Sequence, residues 1–390
     1  MISSRHWQLP DGVDELLPPV AWQLELVRRR VLDVFRAWGF EYVDPPVVEY
    51  LESLLVGSAG DMDLQTLKAL DQRSGRMLGV RADLTSQAAR IDAHSLAMDG
   101  IRRLCYAGSV VLANPAAPLD TRVPFKAGAE IFGAASLSAD AEVIALLVDV
   151  LRTAGIDSPV LVLGHVGIYA ALVEAMGLPA ETERALFGAV QRKSETDIAE
   201  LLGDRAGADM VVRLPTLMGR RDALADARRV LRAGPKPLTA AIDALEELAD
   251  LVAARCPDVQ LRFDVAELAG YGYHNGPVFS AYQGDRGSAL ARGGRYDGIG
   301  AAFGRARPAT GFDVSLKQLV AAGAVIENAI WAPRVDGDAN RRTALLAELK
   351  RLRAAGEIVL SALTAGEQPA KRCDRALVEV DGAWTVRPLT

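Results

Sequence analysis

A few charged and hydroxyl side chains of this sequence lie in contexts typical of binding sites. Glu130 lies between Ala129 and Ile131 in an apolar, strand-like run. A carboxylate buried in such a run is costly unless it has a partner, so Glu130 is a candidate binding residue. Asp83 and Thr85 stand at the start of a helical pattern. Taken alone, these two favour a helix cap over a ligand contact.

The sequence motifs of several familiar chemistries are absent. There is no GxxxxGK[ST] phosphate loop, no HExxH metal motif and no GxSxG nucleophile turn. The three cysteines, Cys105, Cys256 and Cys373, are far apart and form no CxxC pair, and the four histidines are scattered. We therefore predict neither a disulfide framework nor a metal site, and we expect no cofactor.

The composition is that of a folded protein with mild net acidity. Of its 390 residues 50% are hydrophobic, and 44 basic against 50 acidic side chains give a formal net charge of −6. The hydrophobic content excludes a disordered chain, and the negative net charge argues against a surface that binds nucleic acid. No apolar run is long enough to cross a membrane and the N-terminus lacks a signal pattern, so we expect a cytoplasmic protein without membrane contact.

Hydrophobic spacing predicts the elements that would position these side chains. Leu24, Val27 and Val31 recur at intervals of three and four residues, which predicts a helix over Val20–Trp38. A strand running into a helix is predicted over Ala309–Ala321. The other predicted strands of this part are Phe40–Val43, Met77–Arg81, Leu104–Leu112, Phe125–Phe132, Val259–Asp264, Val278–Gln283 and Ser288–Arg292.

Two changes in composition and hydrophobic spacing divide the chain. Residues 168–256 are rich in Ala, Leu, Glu and Arg at helical spacing, which predicts a helical insertion. The tail has an amphipathic pattern over Asn340–Ala355, followed by short strand patterns. We therefore predict a core of residues 1–324 that contains the insertion, and a short α/β segment of residues 325–390.

In their order along the chain, these segments resemble the core of a class II aminoacyl-tRNA synthetase, and specifically histidyl-tRNA synthetase. The matching segments are Leu17–Pro46 for the dimer-forming first motif, Arg81–Thr85 for an RPEGT-like segment, Leu104–Gly133 for the second motif, Ala269–Ser280 for the histidine-specific segment, Gly293–Asp297 for GGRYD and Gly311–Leu319 for the third motif. The resemblance implies an α+β fold with an antiparallel sheet flanked by helices.

The arginines with which that family holds ATP are replaced here. They fall at Leu112, at Ala269 and at Gln318, which follows Lys317. Such guanidinium groups stabilise charge on the reacting phosphate, and losing one donor of this kind typically costs about 2.7–4 kcal/mol in the transition state. We therefore expect no catalytic residues. The tail from Val325 is also shorter than the family's anticodon-binding domain, so we expect no tRNA partner.

A synthetase-like chain with these losses and a short tail resembles the regulatory subunits of ATP phosphoribosyltransferase. The resemblance implies a non-catalytic subunit in the first step of histidine biosynthesis. It would activate a short catalytic subunit and confer feedback inhibition by free histidine. It would form a homodimer as the building block of a hetero-oligomer. Histidine would bind either in the synthetase-like pocket or at a joint between subunits, and the sequence leaves both open.

The same resemblance implies contacts to histidine. Asp83 and Glu130 would hold its ammonium group and help to hold the donor of its ring, and Lys126 would pair with its carboxylate. A simple turn is the alternative interpretation of the GGRYD segment. The full predicted histidine-binding set is Asp83, Thr85, Lys126, Glu130, Tyr273, His274, Arg295 and Tyr296.

Two other functions stay open at this level. An active histidyl-tRNA synthetase predicts histidine-dependent pyrophosphate–ATP exchange. A synthetase-derived module that binds RNA or another protein predicts co-purification with its partner. The replaced arginines and the short tail favour the regulatory subunit over both.

Overall fold

The chain forms two compact units, Met1–Ala324 and Val325–Thr390, in a computed structural model. The residues on either side of the predicted boundary, Ala324 and Val325, lie outside the described part of the chain. The described residues are 8–56, 62–114, 120–284, 287–323 and 328–389.

The first unit contains both strands and helices. Its strands are β1 (Glu41–Tyr42), β2 (Val48–Tyr50), β3 (Leu67–Leu70), β4 (Met77–Val80), β5 (Arg102–Ser109), β6 (Phe125–Phe132), β7 (Pro159–His165), β8 (Met218–Gly219), β9 (Gln260–Asp264), β10 (Pro277–Gln283), β11 (Ala291–Arg295) and β12 (Ala309–Ser315). Its α-helices are α1 (Val20–Ala37), α2 (Leu51–Leu55), α3 (Met62–Gln65), α4 (Thr85–Arg90), α5 (Leu137–Thr153), α6 (Val166–Met176), α7 (Ala180–Gln191), α8 (Glu195–Leu202), α9 (Ala208–Arg213), α10 (Asp222–Val230), α11 (Lys236–Arg255) and α12 (Leu316–Ala322). Among the described residues, no helix combines the length and the apolar character needed to cross a bilayer.

Nine strands form the main sheet, in the order β1-β5-β6-β12-β11-β10-β7-β9-β8. The predicted antiparallel sheet flanked by helices is confirmed, with parallel pairing only at β1-β5 and β7-β9 within the described sheet. Helices α1, α5 and α12 pack on one face, where the rings of Phe35 and Phe312 meet edge to face with centroids 6.1 Å apart. Strands β2, β4 and β3 form a separate antiparallel sheet.

The pleat of the central strands separates two sets of side chains. Glu130 of β6 pairs with Gly311 of β12, which pairs with Gly294 of β11. Opposed residues share a face of the sheet, and successive residues along a strand alternate between faces. Phe312 packs on α1 and therefore marks the helix-covered face. We call the other face, which carries Glu130, Gly311 and Gly294, the open face.

Helices α6 to α11 fill the segment between β7 and β9. Their apolar sides form a cluster of buried residues that includes Leu172, Leu186, Leu214 and Ile242. The segment predicted as a helical insertion is built of helices except for the short strand β8, which pairs with β9 and so ties the insertion to the edge of the main sheet.

The second unit has its own sheet and core. Its elements are β13 (Ala329–Ala332), α13 (Ala339–Ala354), β14 (Val359–Ser361), β15 (Cys373–Val380) and β16 (Ala383–Pro388). The strands are ordered β14-β13-β15-β16, and Leu345 and Leu352 of α13 pack with Leu377 of β15. Asp381 and Gly382 both have positive φ, which is the geometry of a tight hairpin turn between β15 and β16.

The predicted elements differ in how well they match. The helix over Val20–Trp38 and the strand over Phe125–Phe132 are confirmed. The strand predicted over Ser288–Arg292 is placed too early, because β11 runs from Ala291 to Arg295. The turn interpretation of the GGRYD segment is wrong for the same reason, since both of its glycines lie inside β11.

Candidate functional site

A cavity on the open face brings together most of the predicted site residues. It has a volume of about 740 Å³ and lies between the open face and residues of the helical insertion. Lys126 and Arg295 are not among the residues that line it. The six predicted residues that do line it are Asp83, Thr85, Glu130, Tyr273, His274 and Tyr296.

Glu130 is the fully buried carboxyl group of the cavity. Its Oε1 accepts a 2.8 Å hydrogen bond from the Tyr106 hydroxyl, and its Oε2 accepts one from the Tyr296 hydroxyl. The Tyr106 hydroxyl is also 2.9 Å from Oγ1 of Thr85. Burial raises the pKa of Glu130 to about 8, although both tyrosine hydrogen bonds lower it. Near pH 7 this carboxyl group is therefore mostly protonated until a cation approaches it.

Two glycines leave the space that this network needs. A Cβ atom at Gly311 would overlap Oε2 of Glu130 and lie 2.7 Å from the carbonyl oxygen of Ala129. A Cβ atom at Gly128 would overlap the Tyr106 hydroxyl. Glycine inside a strand marks a close approach of neighbouring groups, and here the neighbours are the hydrogen-bonded side chains themselves.

The segment around Asp83 combines a helix start with the cavity wall. Oδ2 of Asp83 accepts a 3.1 Å hydrogen bond from the backbone N–H of Ser86, in the first turn of α4. The capping interpretation of Asp83 is confirmed, and Asp83 also lines the cavity. Thr85 directs its hydroxyl to Tyr106 and caps nothing, so the capping interpretation of Thr85 is wrong.

Tyr273, His274 and Tyr296 form an aromatic wall. The two tyrosine rings stack with centroids 5.0 Å apart, and the His274 ring meets Tyr273 edge-on at 5.2 Å. Nδ1 of His274 is 3.3 Å from the carbonyl oxygen of Arg295. A carbonyl oxygen only accepts hydrogen bonds, so Nδ1 carries the hydrogen and Nε2 of the neutral ring is left as an acceptor. Burial lowers the pKa of His274 to about 4, which keeps the ring neutral.

The hydroxyl of Tyr273 is buried and has no hydrogen-bond partner among the described residues. An unsatisfied buried hydroxyl costs about 1–3 kcal/mol. Because Tyr273 lines the cavity, a polar group of a ligand or a water molecule is the partner that would remove this cost. This orphaned hydroxyl supports the predicted role of Tyr273 independently of the sequence motif.

Lys126 shares a face of β6 with Glu130, but its ammonium group is already bound. Nζ of Lys126 is 2.8 Å from Oδ2 of Asp313 on β12. Burial lowers the pKa of Lys126, but attraction to Asp313 and Asp83 outweighs burial and the net shift is upward. The pairing of Lys126 with a ligand carboxylate stays a prediction, and its partner in the structure is Asp313.

Arg295 is predicted as a ligand contact, and this prediction is wrong. It follows Gly294 of the open face by one residue, so its side chain points to the helix-covered face. Its Nη2 and Nε donate to Oδ2 of Asp140 on α5 at 2.7 and 3.2 Å, and its Nη1 donates to the carbonyl oxygen of Ala134 at 3.0 Å. The Arg295 side chain is a buried cation with a structural role, because it connects the GGRYD segment of β11 to α5.

The lining of the cavity also contains an ion pair that the sequence analysis missed. Nζ of Lys193 is 2.8 and 2.7 Å from the two carboxylate oxygens of Asp264 on β9. Lys193 follows α7 with a φ of 55°, which is uncommon outside glycine. The two residues are 71 positions apart and belong to no motif, so no sequence signal pairs them.

The positions of the replaced arginines supply no guanidinium group to the cavity. Ala269 lines the cavity, whereas Leu112 and Gln318 are not among its lining residues. Lys317, next to Gln318, has its Nζ atom 2.9 and 3.0 Å from the carboxylate oxygens of Asp14.

Acidic side chains outnumber basic ones in the described lining of the cavity. Glu130 is mostly protonated, and Asp264 and Asp313 are paired with Lys193 and Lys126. The remaining charges of the lining are those of Asp83, Glu267 and Arg292, a small negative excess that favours an ammonium group over a triphosphate. The acidic residues are Asp83, Glu130, Asp264, Glu267 and Asp313, and the basic ones are Lys193 and Arg292. Across the described ranges, no group of three or more His, Cys, Asp or Glu side chains could hold a metal ion.

Family models match both compact units. The model described as histidyl-tRNA synthetase matches residues 12–319. The model described as the ATP phosphoribosyltransferase subunit HisZ C-terminal domain matches residues 327–387. The short tail therefore resembles a domain of a regulatory subunit.

Similar proteins of full length are named ATP phosphoribosyltransferase regulatory subunit. The one from Stutzerimonas stutzeri is 49% identical over 398 residues and covers 100% of both chains, and the one from Pseudomonas aeruginosa is 46% identical with the same coverage. A solved structure from Bacillus halodurans, described as an ATP phosphoribosyltransferase regulatory subunit/histidyl-tRNA synthetase, has a TM-score of 0.80 at 27% identity, over 93% of this chain and 94% of that one. Histidyl-tRNA synthetase from Nostoc sp. PCC 7120 shares the fold, with a TM-score of 0.75 at 16% identity over 98% and 94% of the two chains.

Proposed function

We propose that the chain, which belongs to the family of ATP phosphoribosyltransferase regulatory subunits, controls a separate catalytic chain without carrying out chemistry itself. The family predicted from the motifs is confirmed, and its function is regulation of ATP phosphoribosyltransferase in histidine biosynthesis. The finer features we propose are a short-form catalytic partner, a homodimeric building block, a cytoplasmic location and free histidine as the effector.

The observation that carries the non-catalytic role is the charge of the cavity. Adenylate formation requires cations on the phosphates of ATP. None of the positions Leu112, Ala269 and Gln318 offers one, and carboxylates predominate in the described lining. A chain that kept the amino-acid half of such a site and lost the nucleotide half is suited to sensing an amino acid.

The remaining groups match the chemistry of histidine. Asp83 and Glu130 would attract its ammonium group, while the orphaned Tyr273 hydroxyl and Nε2 of His274 would bond to its imidazole. Typical coupling between such an effector and the substrates of a partner is about 1–3 kcal/mol, and it is reciprocal. We therefore expect the partner's substrates to weaken histidine binding by the same factor.

Exposed apolar side chains in the first motif support the homodimer. Leu17 and Trp22 at the start of the chain are exposed, the latter to 56%, and Tyr42 of the edge strand β1 is 49% exposed. Exposed apolar side chains become association surfaces where a second subunit covers them. A molar mass of one chain by light scattering at assay concentrations would contradict the homodimer.

Reconstitution with a short-form ATP phosphoribosyltransferase catalytic chain tests the proposal. The purified chain should bind that subunit, raise its rate of phosphoribosyl transfer to ATP, and make the rate sensitive to histidine. A chain with Asp83→Asn, which removes a cavity carboxylate, should still bind the subunit but respond to histidine at higher concentration. A catalytic rate that is unchanged by the purified chain would contradict the proposal.

An active histidyl-tRNA synthetase is the second candidate, favoured by the family model that matches residues 12–319. It predicts histidine-dependent exchange of pyrophosphate into ATP by the purified chain. We expect no exchange above background, and exchange at the rate of a synthetase would replace the regulatory proposal.

A further inference from the structure

The described cations near the cavity differ in whether they are already bound. Lys193 has both carboxylate oxygens of Asp264 within 2.8 Å, and Lys126 is held by Asp313 at the same distance. Arg292 lines the cavity and makes no hydrogen bond or ion pair with the described residues. Its side chain is exposed, so its guanidinium is available to a ligand.

Strand register places Arg292 on the same side of the sheet as the predicted ammonium site. Arg292 of β11 pairs with Asp313 of β12, which pairs with Gly128 of β6, and the neighbouring row on this face holds Gly294, Gly311 and Glu130. From the spacing of strands and of residues along them, the Cα atoms of Arg292 and Glu130 are roughly 12 Å apart. Gly294 and Gly311 leave the row of Glu130 without side chains on β11 and β12. Asp313, which lies directly opposite Arg292, carries a carboxylate that Lys126 already holds. A small zwitterion fits between a guanidinium and a carboxylate arranged in this way.

We infer that Arg292 binds the α-carboxylate of the effector, so that the cavity selects amino acids with a free carboxylate over amines that carry the same ring. This inference deepens the proposed function and depends on histidine binding in the cavity. A guanidinium fork meets a carboxylate with two parallel hydrogen bonds, which an ammonium group cannot reproduce. Arg292 thereby takes the role that the sequence motifs assign to Lys126.

Calorimetric titration of the full chain with histidine and with histamine, which lacks the carboxylate, tests the inference. The variants are Arg292→Gln and Arg292→Lys, with Arg262→Gln as the control. Arg262 lies on β9 of the same sheet but is not among the lining residues. Arg292→Gln should weaken histidine binding at least tenfold and leave histamine binding unchanged, Arg292→Lys should be intermediate, and Arg262→Gln should match the wild type.

The possible failures separate the two claims. Equal histidine affinity in the wild type and in Arg292→Gln would overturn the role of Arg292 and leave the effector site intact. A parallel loss of histidine and histamine binding would also overturn it, because the arginine would then support the site as a whole. No histidine binding by the wild-type chain would overturn the effector site and this inference together.

Discussion

Replacing Glu130 by Gln tests whether a buried, protonated carboxyl group limits stability near neutral pH. Burial raises the pKa of Glu130 from 4.5 to about 8 in the folded chain, whereas the unfolded chain has the ordinary value. As pH rises from about 4.5 to about 8, the unfolded state ionises while the folded state keeps its proton. The stability contribution is thus complete below the unfolded pKa and is lost as pH rises through this window. A glutamine side chain does not titrate, so the Glu130→Gln variant lacks this loss.

The expected size follows from the two pKa values. One unit of pKa corresponds to about 1.36 kcal/mol, so between about pH 5 and about pH 8 the wild type should lose roughly 3–4 kcal/mol of unfolding free energy relative to Glu130→Gln. Urea denaturation of both proteins across this range measures the difference. Titration of groups that the two proteins share cancels in the comparison.

Glu25 provides a matched control with the opposite shift. Hydrogen bonds from Arg28 and Arg29 lower the pKa of Glu25 to about 2. Above about pH 5 Glu25 is ionised in both the folded and the unfolded state, so the effect of Glu25→Gln should not change with pH in the same window. If the effect of Glu130→Gln is equally constant, Glu130 is charged in the folded chain and the reasoning about its buried network is refuted.

Other consequences of the same contacts can be measured. Histidine binding near pH 7 should release protons, because the ammonium group of the ligand favours the ionised form of Glu130. Calorimetry in buffers with different heats of ionisation measures this release, and a binding enthalpy that is the same in all of them would contradict it. Gly311→Ala should lower the unfolding free energy by about 1–3 kcal/mol, because its Cβ overlaps Glu130. Gly298→Ala, with nothing within 4 Å of its Cβ, should change the unfolding free energy by about 0.5 kcal/mol at most. Equal denaturation midpoints for the two variants would count against the overlap. Arg295→Ala should lower the unfolding free energy by about 3–5 kcal/mol in urea denaturation, because Asp140 would be left buried without its partner. A loss of about 1 kcal/mol or less, as for a surface ion pair, would show that the pair does not stabilise the fold.

The fold was predictable where one side of an element is buried and the other is not. Helix α1 shows its buried side as a regular spacing of Val27, Val31 and Phe35, and its bounds are close to the predicted ones. Helix α5 has no such pattern, because residues from Ala139 to Leu151 are buried almost all around it. A helix that is apolar on every side has no amphipathic period to detect, so this segment is absent from the predicted elements.

The site was predictable as a set of motif residues but not as a set of contacts. Asp83, Glu130 and Tyr273 reach the cavity as the resemblance implies. Arg295 does not, because a motif written as consecutive letters hides the alternation of a strand: one residue separates the open face from the helix-covered face. The pairing of Lys126 with Asp313 depends on a strand neighbour 187 residues away, which no local pattern reports.

Burial is the main cause of the raised pKa of Glu130, and the replaced arginine at Ala269 leaves the cavity without a cation that would lower it. Two unit charges 4 Å apart interact by about 4 kcal/mol at the effective dielectric constant of a protein surface. A guanidinium group close to Glu130 would therefore favour the ionised carboxylate and offset an appreciable part of the upward shift in its pKa. Ala269 lines this cavity and carries no charge, while Asp83 raises the pKa of Glu130 further. A carboxyl group in such a site stays protonated until a ligand supplies the missing cation. The ammonium group of an amino acid can do so and a nucleotide cannot, which makes the site selective for the smaller ligand.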